Sequence, residues 1–143
     1  MARTKKLLYI GSILSMITAF LGCSTEPVQT GSIHLNFVFK NTQPSGDSLY
    51  PVYPNPFSRA TGDTSLFLQF ALRDTSRVNL VVQNALGDAV ALFSDSLLVP
   101  GAYNGHWNPV KADGTSLLSG IYYVTLHAGD FINSRLVFIE ENK

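Results

Sequence analysis

The sequence has a single cysteine in 143 residues, Cys23, so a chain exported to an oxidising compartment has no second thiol with which to close an internal disulfide. It has little charge. Only 14% of its residues are Asp, Glu, Lys or Arg against 45% apolar, a balance that suits a packed body and excludes a self-repelling disordered chain. No helical period recurs anywhere beyond Cys23. There is no Gly-x-Ser-x-Gly elbow and no phosphate-cradling glycine loop ahead of a helix. His34, His106 and His127 are far apart, with no His or Cys beside them at metal-ligand spacing. Asp47, Asp63, Asp74, Asp88, Asp95, Asp113 and Asp130 fall mostly in turn-rich stretches, where carboxylates cap backbone amides. These absences point to a protein that is not an enzyme, with no metal, cofactor or small-molecule substrate.

What is present begins at the N-terminus. Arg3, Lys5 and Lys6 precede Leu7 to Gly22, 16 residues without a charge, and Cys23 follows directly. A helix needs about 18 or more apolar residues to span a bilayer, and Gly11, Ser12, Ser15 and Thr18 dilute this shorter run. A basic start, a short apolar stretch and a small residue at its end form a signal peptide over residues 1–22. Phe20-Leu21-Gly22-Cys23 resembles the bacterial lipobox, with Phe20 standing where leucine is usual. The resemblance implies cleavage before Cys23 and acylation of it, an attachment to the membrane worth about 0.8 kcal/mol per buried CH₂. Ser24, rather than aspartate, follows the cysteine, which in well-studied sorting systems accompanies passage to the outer membrane.

Cleavage would remove three basic residues and leave seven against ten acidic ones, net −3. A mildly acidic body has no electrostatic footprint for a phosphate backbone, so nucleic acid is excluded as a partner.

Residues 23–31, with Pro27 and small polar residues, read as a tether. One domain is expected from 32 to 143. Ile33, Leu35, Phe37 and Phe39 alternate with His34, Asn36, Val38 and Lys40, the pattern of a half-buried strand. It is expected to pair with the edge of the domain, with Ile33, Leu35, Phe37 and Phe39 toward the core and His34, Asn36 and Lys40 outward. Asn41 to Ser48, polar and containing Pro44 and Gly46, is either a loop or a second linker. From Leu66 onward short apolar runs are closed by turn residues at intervals of about ten. Leu66, Leu68 and Phe70 make one face, and Val78, Leu80 and Val82 another. Gly87 suits a left-handed position in a hairpin toward Val90 to Phe93. Pro100-Gly101 and Asp113-Gly114 mark turns before Ala102 to Trp107 and Gly120 to His127. Ile121 to Leu126 is apolar or aromatic at both parities apart from Thr125, so both faces of that strand are expected to be covered. Gly129-Asp130 turns the chain into Phe131 to Ile139. The pattern predicts an all-β antiparallel sandwich of about seven strands, with a small barrel as the other way to close such strands.

Several turns carry recognisable words. Tyr53-Pro54-Asn55-Pro56-Phe57, Ala85-Leu86-Gly87-Asp88-Ala89-Val90, Gly105-His106-Trp107-Asn108, Asp113-Gly114 and Ser119-Gly120-Ile121-Tyr122-Tyr123 occur in this order. Together, over about residues 50–140, they resemble the Ig-like domains of the flagellar hook-capping family and of type A C-terminal sorting domains of type IX secretion. Asp88 replaces the family's usual arginine, and Pro109 its usual glycine. The resemblance implies an Ig-like sandwich. Tyr53 and Phe57 are expected as apolar plugs, Trp107 as a core residue, and Tyr122 and Tyr123 on opposite faces of a strand.

The function these readings imply is that of a lipid-anchored module of the cell envelope, interacting or structural, held on the membrane by acyl chains on Cys23 and binding another envelope protein. The alternative is a type IX secretion sorting domain. Against it, only Ser24 to Leu49 stand between the cysteine and the resembling region, where such domains usually follow a large cargo, and the chain ends Ile139-Glu140-Glu141-Asn142-Lys143.

Overall fold

In a strand every second side chain shares a face, so period-two alternation buries one parity and exposes the other. The computed structural model, which describes residues 37–111 and 113–140, has eight strands, of which the six longer ones follow that rule. They are β1 (Val38–Lys40), β2 (Ser48–Leu49), β3 (Leu66–Leu72), β4 (Ser76–Asn84), β5 (Ala89–Leu98), β6 (Gly101–Trp107), β7 (Gly120–Ala128) and β8 (Phe131–Ile139). A 3-10 turn lies at Arg59–Thr61. Two antiparallel four-stranded sheets result, in the orders β1-β6-β3-β2 and β5-β4-β7-β8. The chain is an all-β sandwich, as its alternation predicts.

The core between the sheets is one cluster. Leu66, Leu68 and Phe70 of β3 face Val78, Leu80 and Val82 of β4 and Val124 and Leu126 of β7, all fully buried. Trp107 is 2% exposed and meets Phe93 edge-on at 5.1 Å, the core position expected for it. Its Nε1–H has no acceptor among the described residues.

Turn chemistry sets the connections. The β4–β5 hairpin closes on Asn84, whose Oδ1 accepts from the backbone N–H of Leu86 and of Asp88, both at 2.9 Å. Gly87 sits at φ 88°, as the hairpin reading requires, and its N–H donates to the Asn84 carbonyl at 3.0 Å. Carboxylates cap amides elsewhere: Asp47 accepts from Arg73 N at 2.7 Å, and Asp63 from Ser58 N at 2.8 Å.

The first apolar run is seen in its last part. Val38–Lys40 pairs with Ala102–Asn104 of β6 and forms the sheet edge. The Phe37 ring meets Phe70 at 5.3 Å and the Phe39 ring meets Tyr103 at 5.3 Å, so both turn toward the core side while Lys40 is exposed. Phe39 remains 45% exposed, because β1 is the outermost strand and nothing lies beyond it among the described residues. Ile33, His34, Leu35 and Asn36 lie outside the described residues.

Asn41 to Asp47 is a loop, one of the two readings of that stretch, and Ser48 and Leu49 then pair with Ala71 and Phe70 at the other edge of the same sheet. With two residues and one buried side chain, β2 is too short to show alternation. The structure corrects two expectations. Tyr53 is no plug. It is 55% exposed and leans on the Phe67 ring at 4.8 Å, whereas Phe57 is fully buried. Nor is β7 covered on both faces: Tyr122, Val124 and Leu126 are buried, but Ile121 and Tyr123 look outward from a sheet with no layer outside it among the described residues.

Candidate functional site: anchor, closed edge and outer faces

Cys23, the proposed lipidation site, and residues 1–36 with it lie outside the described residues. What the fold positions is the set of surfaces an anchored domain would present.

Strand direction fixes two ends. β6 runs toward the end where β3 begins, since Leu66 pairs with Trp107, and β7 begins where β8 finishes, since Gly120 pairs with Ile139. At this end, the head, Tyr53 bridges Phe67, Phe57 bridges Ile139, and Asn84 pairs with Tyr122. Arg59, two residues past the Phe57 bridge to β8, reaches the chain just beyond β6, its Nη2 donating to Asn108 Oδ1 at 2.8 Å and to the Pro109 carbonyl at 3.0 Å. All five turn motifs named above therefore gather at the head. The described chain enters there too, because β1 runs opposite to β6.

The Tyr53–Phe57 segment has a second task. Both of its X-Pro bonds, Tyr53–Pro54 and Asn55–Pro56, are cis. The segment lies along the outer edge of β8, where Phe57 N donates to the Phe138 carbonyl at 2.8 Å and Glu140 N to the Phe57 carbonyl at 2.9 Å. The Asn55 side chain continues the pairing toward Leu136. The head half of this edge is thus closed against strand addition, a standing hazard of open sheets. Next to it, Arg135 Nε donates to the Leu49 carbonyl at 2.8 Å and joins β8 to β2 of the other sheet.

The two outer faces differ. The β3–β6 face carries a row of rings in register, Tyr53, Phe67 and His106, with centroids 4.8 and 5.1 Å apart, and Ser65 Oγ lies 3.3 Å from His106 Nδ1. The β7–β8 face carries Ile121 opposite Phe138 and Tyr123 opposite Leu136, with Ile132 farther along. Sequence reasoning missed this second face. Its signal is that Phe131 to Ile139 has apolar residues at both parities, more than one buried face requires.

Chemically, His106 and His127 belong to different sheets and point to opposite outer faces, and His34 is outside the described residues. Among the described residues no three of His, Cys, Asp and Glu come together. The Asp113 carboxyl is held below its ordinary range by the Thr115 hydroxyl, 2.6 Å away, and by the Thr115 N–H at 2.8 Å, as a turn cap would be. Burial raises the Tyr103 and Tyr122 phenols, and the Tyr103 hydroxyl donates to the Val99 carbonyl at 2.7 Å.

No family model and no curated protein matches the chain. Among solved structures, 66% of the chain is similar, at 21% identity and a TM-score of 0.47, to part of PorZ of Porphyromonas gingivalis, described as an essential bacterial surface component of the type-IX secretion system. The match spans 12% of that protein.

Proposed function

We propose that this chain is a non-catalytic interaction module of the bacterial cell envelope, an Ig-like sandwich held on the outer membrane by acyl chains on Cys23 and engaging another envelope protein. One observation carries the reading: Gly22-Cys23 closes a 16-residue uncharged run behind Arg3, Lys5 and Lys6, and no other cysteine exists to give that thiol a structural partner. Supporting a binding rather than a catalytic role, Asp47, Asp63 and Asp113 are engaged with backbone amides. The test is Cys23→Ser in the native host. The parent should take up labelled fatty acid and pellet with membranes, and the variant should do neither. Equal mass and equal membrane partition of the two proteins would end the lipoprotein reading.

A second reading, an address for type IX export, is favoured by the gathering of all five turn motifs at the head. Residues 50–140 placed behind a periplasmic reporter in a type IX-competent bacterium should then carry it to the cell surface, and a reporter that stays in the periplasm removes this reading.

A further inference from the structure

Leu86 and Leu118 are the two most exposed large apolar side chains among the described residues, at 87% and 77%. Both stand at the head: Leu86 lies in the β4–β5 turn just past the Asn84–Tyr122 pair, and Leu118 two residues ahead of Gly120, which pairs with Ile139. Neither can fold back under cover. Asn84 Oδ1 accepts from the Leu86 N–H and fixes the first turn. In the second, Leu117 is buried with its N–H on the Pro109 carbonyl, so the next side chain, Leu118, is turned outward, and its own carbonyl accepts from the Tyr122 hydroxyl at 3.0 Å. A single exposed leucine is ordinary. Two held out on turn tips at one end, the end from which the chain runs back to Cys23, are a placement.

We infer that the head rests on the lipid surface that holds Cys23, with Leu86 and Leu118 seated in the apolar margin below the headgroups. The inference rests on the anchored reading of Cys23. What selects this occupant is where the described residues begin. β1 enters from the head, and Cys23 to Asn36 are 14 residues, which reach at most about 50 Å when fully extended. The nine-residue strands β7 and β8 make the domain about 30 Å long at about 3.3 Å per residue. To set the opposite end on the membrane, the connection would have to run back along the whole domain, more than half of its greatest reach. The head needs none of it. Two leucines alone bind a bilayer weakly, but on a tethered domain the contact is intramolecular and forms at a high effective concentration. The contact is apolar rather than electrostatic. Arg59 and Lys111 are outnumbered at the head by Asp63, Asp88, Asp113 and Glu140, so no basic cluster is there to draw anionic lipid, and the surface it fits has neutral headgroups.

The experiment takes the full chain from its own membranes into vesicles of phosphatidylcholine brominated on its acyl chains, as the parent and as Leu86→Trp, Leu118→Trp and Leu97→Trp. Leu97 is 71% exposed at the opposite end, so its variant carries the same bias of tryptophan toward a membrane interface, and buried Trp107 gives a common background read from the parent. The two head variants should lose at least three times as much emission to the brominated lipid as Leu97→Trp does. No quenching at the head beyond that of the parent overturns the inference, and so does quenching of Leu97→Trp equal to or above that of the head sites. Mass analysis of the same samples reports the acyl chains separately. Where Cys23 is found free, a maleimide-headgroup lipid coupled to its thiol supplies an anchor at the same residue, so the orientation is read in either case. An acylated chain without quenching at the head removes only the docking, and an unacylated chain that docks by its head once coupled removes only the native anchor.

Discussion

The side-chain amide of Asn55 pairs with the backbone on either side of Val137, its Oδ1 accepting from Phe138 N–H at 3.0 Å and its Nδ2 donating to the Leu136 carbonyl at 2.8 Å. A primary amide offers a donor and an acceptor side by side, the same pair an additional strand would present to the edge. Only one orientation of the amide satisfies both partners.

Asn55→Ala should therefore cost about 1–2 kcal/mol, two exposed hydrogen bonds at the usual net value. It should also speed hydrogen exchange at Phe138. Asn55→Asp keeps the acceptor, loses the donor and sets a carboxylate against the Leu136 carbonyl, so it should be at least as destabilising above pH 5. An unchanged urea midpoint with unchanged Phe138 exchange would show that the bonds are not made in solution.

Trp107→Ala should lower stability by about 3–5 kcal/mol, the usual loss on truncating a buried tryptophan. Trp107→Phe should cost much less, since it keeps a ring against Phe93 and removes the indole N–H that has no acceptor among the described residues. Thermal melts of the three proteins decide the matter, and an alanine variant melting with the parent would place the indole outside the core.

The long strands were readable in the sequence because each buries one parity against a single core, except that β5, read as Val90 to Phe93, runs from Ala89 to Leu98. Leu66, Leu68 and Phe70, and again Val78, Leu80 and Val82, alternate cleanly, and the last strand runs from Phe131 to Ile139 as the turn at Gly129-Asp130 implies. β2 was not readable, since its pairing depends on a neighbour across the sheet rather than on a local pattern. The exposure of Tyr53 and of the β7–β8 face was hidden for a related reason. Hydrophobicity reports that a side chain avoids water, not whether this chain supplies the cover. The edge-closing role of Asn55 has no local signature, because its partners are 81 and 83 residues away.

Gly101 lies at φ 154°, and a Cβ there would run into the Phe39 ring and come within 3.0 Å of the Lys40 carbonyl. Gly101→Ala should cost on the order of 1–3 kcal/mol, the usual range for a residue held in a sparsely populated region. The loss should be local at first, with the amides of Val38–Lys40 exchanging faster while those of β7 keep their protection. Uniform loss across both sheets would contradict the close approach of β1 to this glycine.

Tyr103 and Tyr122 both have phenols raised above their ordinary 10.0 by burial. The unfolded chain ionises these groups first as pH rises, so their contribution to stability is complete below about pH 10 and is lost as pH climbs through the folded-state values. Alkaline unfolding should therefore steepen above that point, and Tyr103→Phe should flatten the slope while sacrificing the bond to the Val99 carbonyl. Denaturant midpoints at pH 8 and pH 11 measure it, and identical slopes for variant and parent would assign the alkaline loss elsewhere.

The bond from Arg135 to the Leu49 carbonyl, with the Phe57 strand segment beside it, makes the sandwich a book with a spine. β2 and β8 are stitched together on that side, while β1 and β5, on the opposite side, share no backbone bond among the described residues. Fluctuations that part the sheets pivot on the spine and open at the fore-edge, so water reaches Phe93 and Tyr103 before it reaches Leu49 and Ile139.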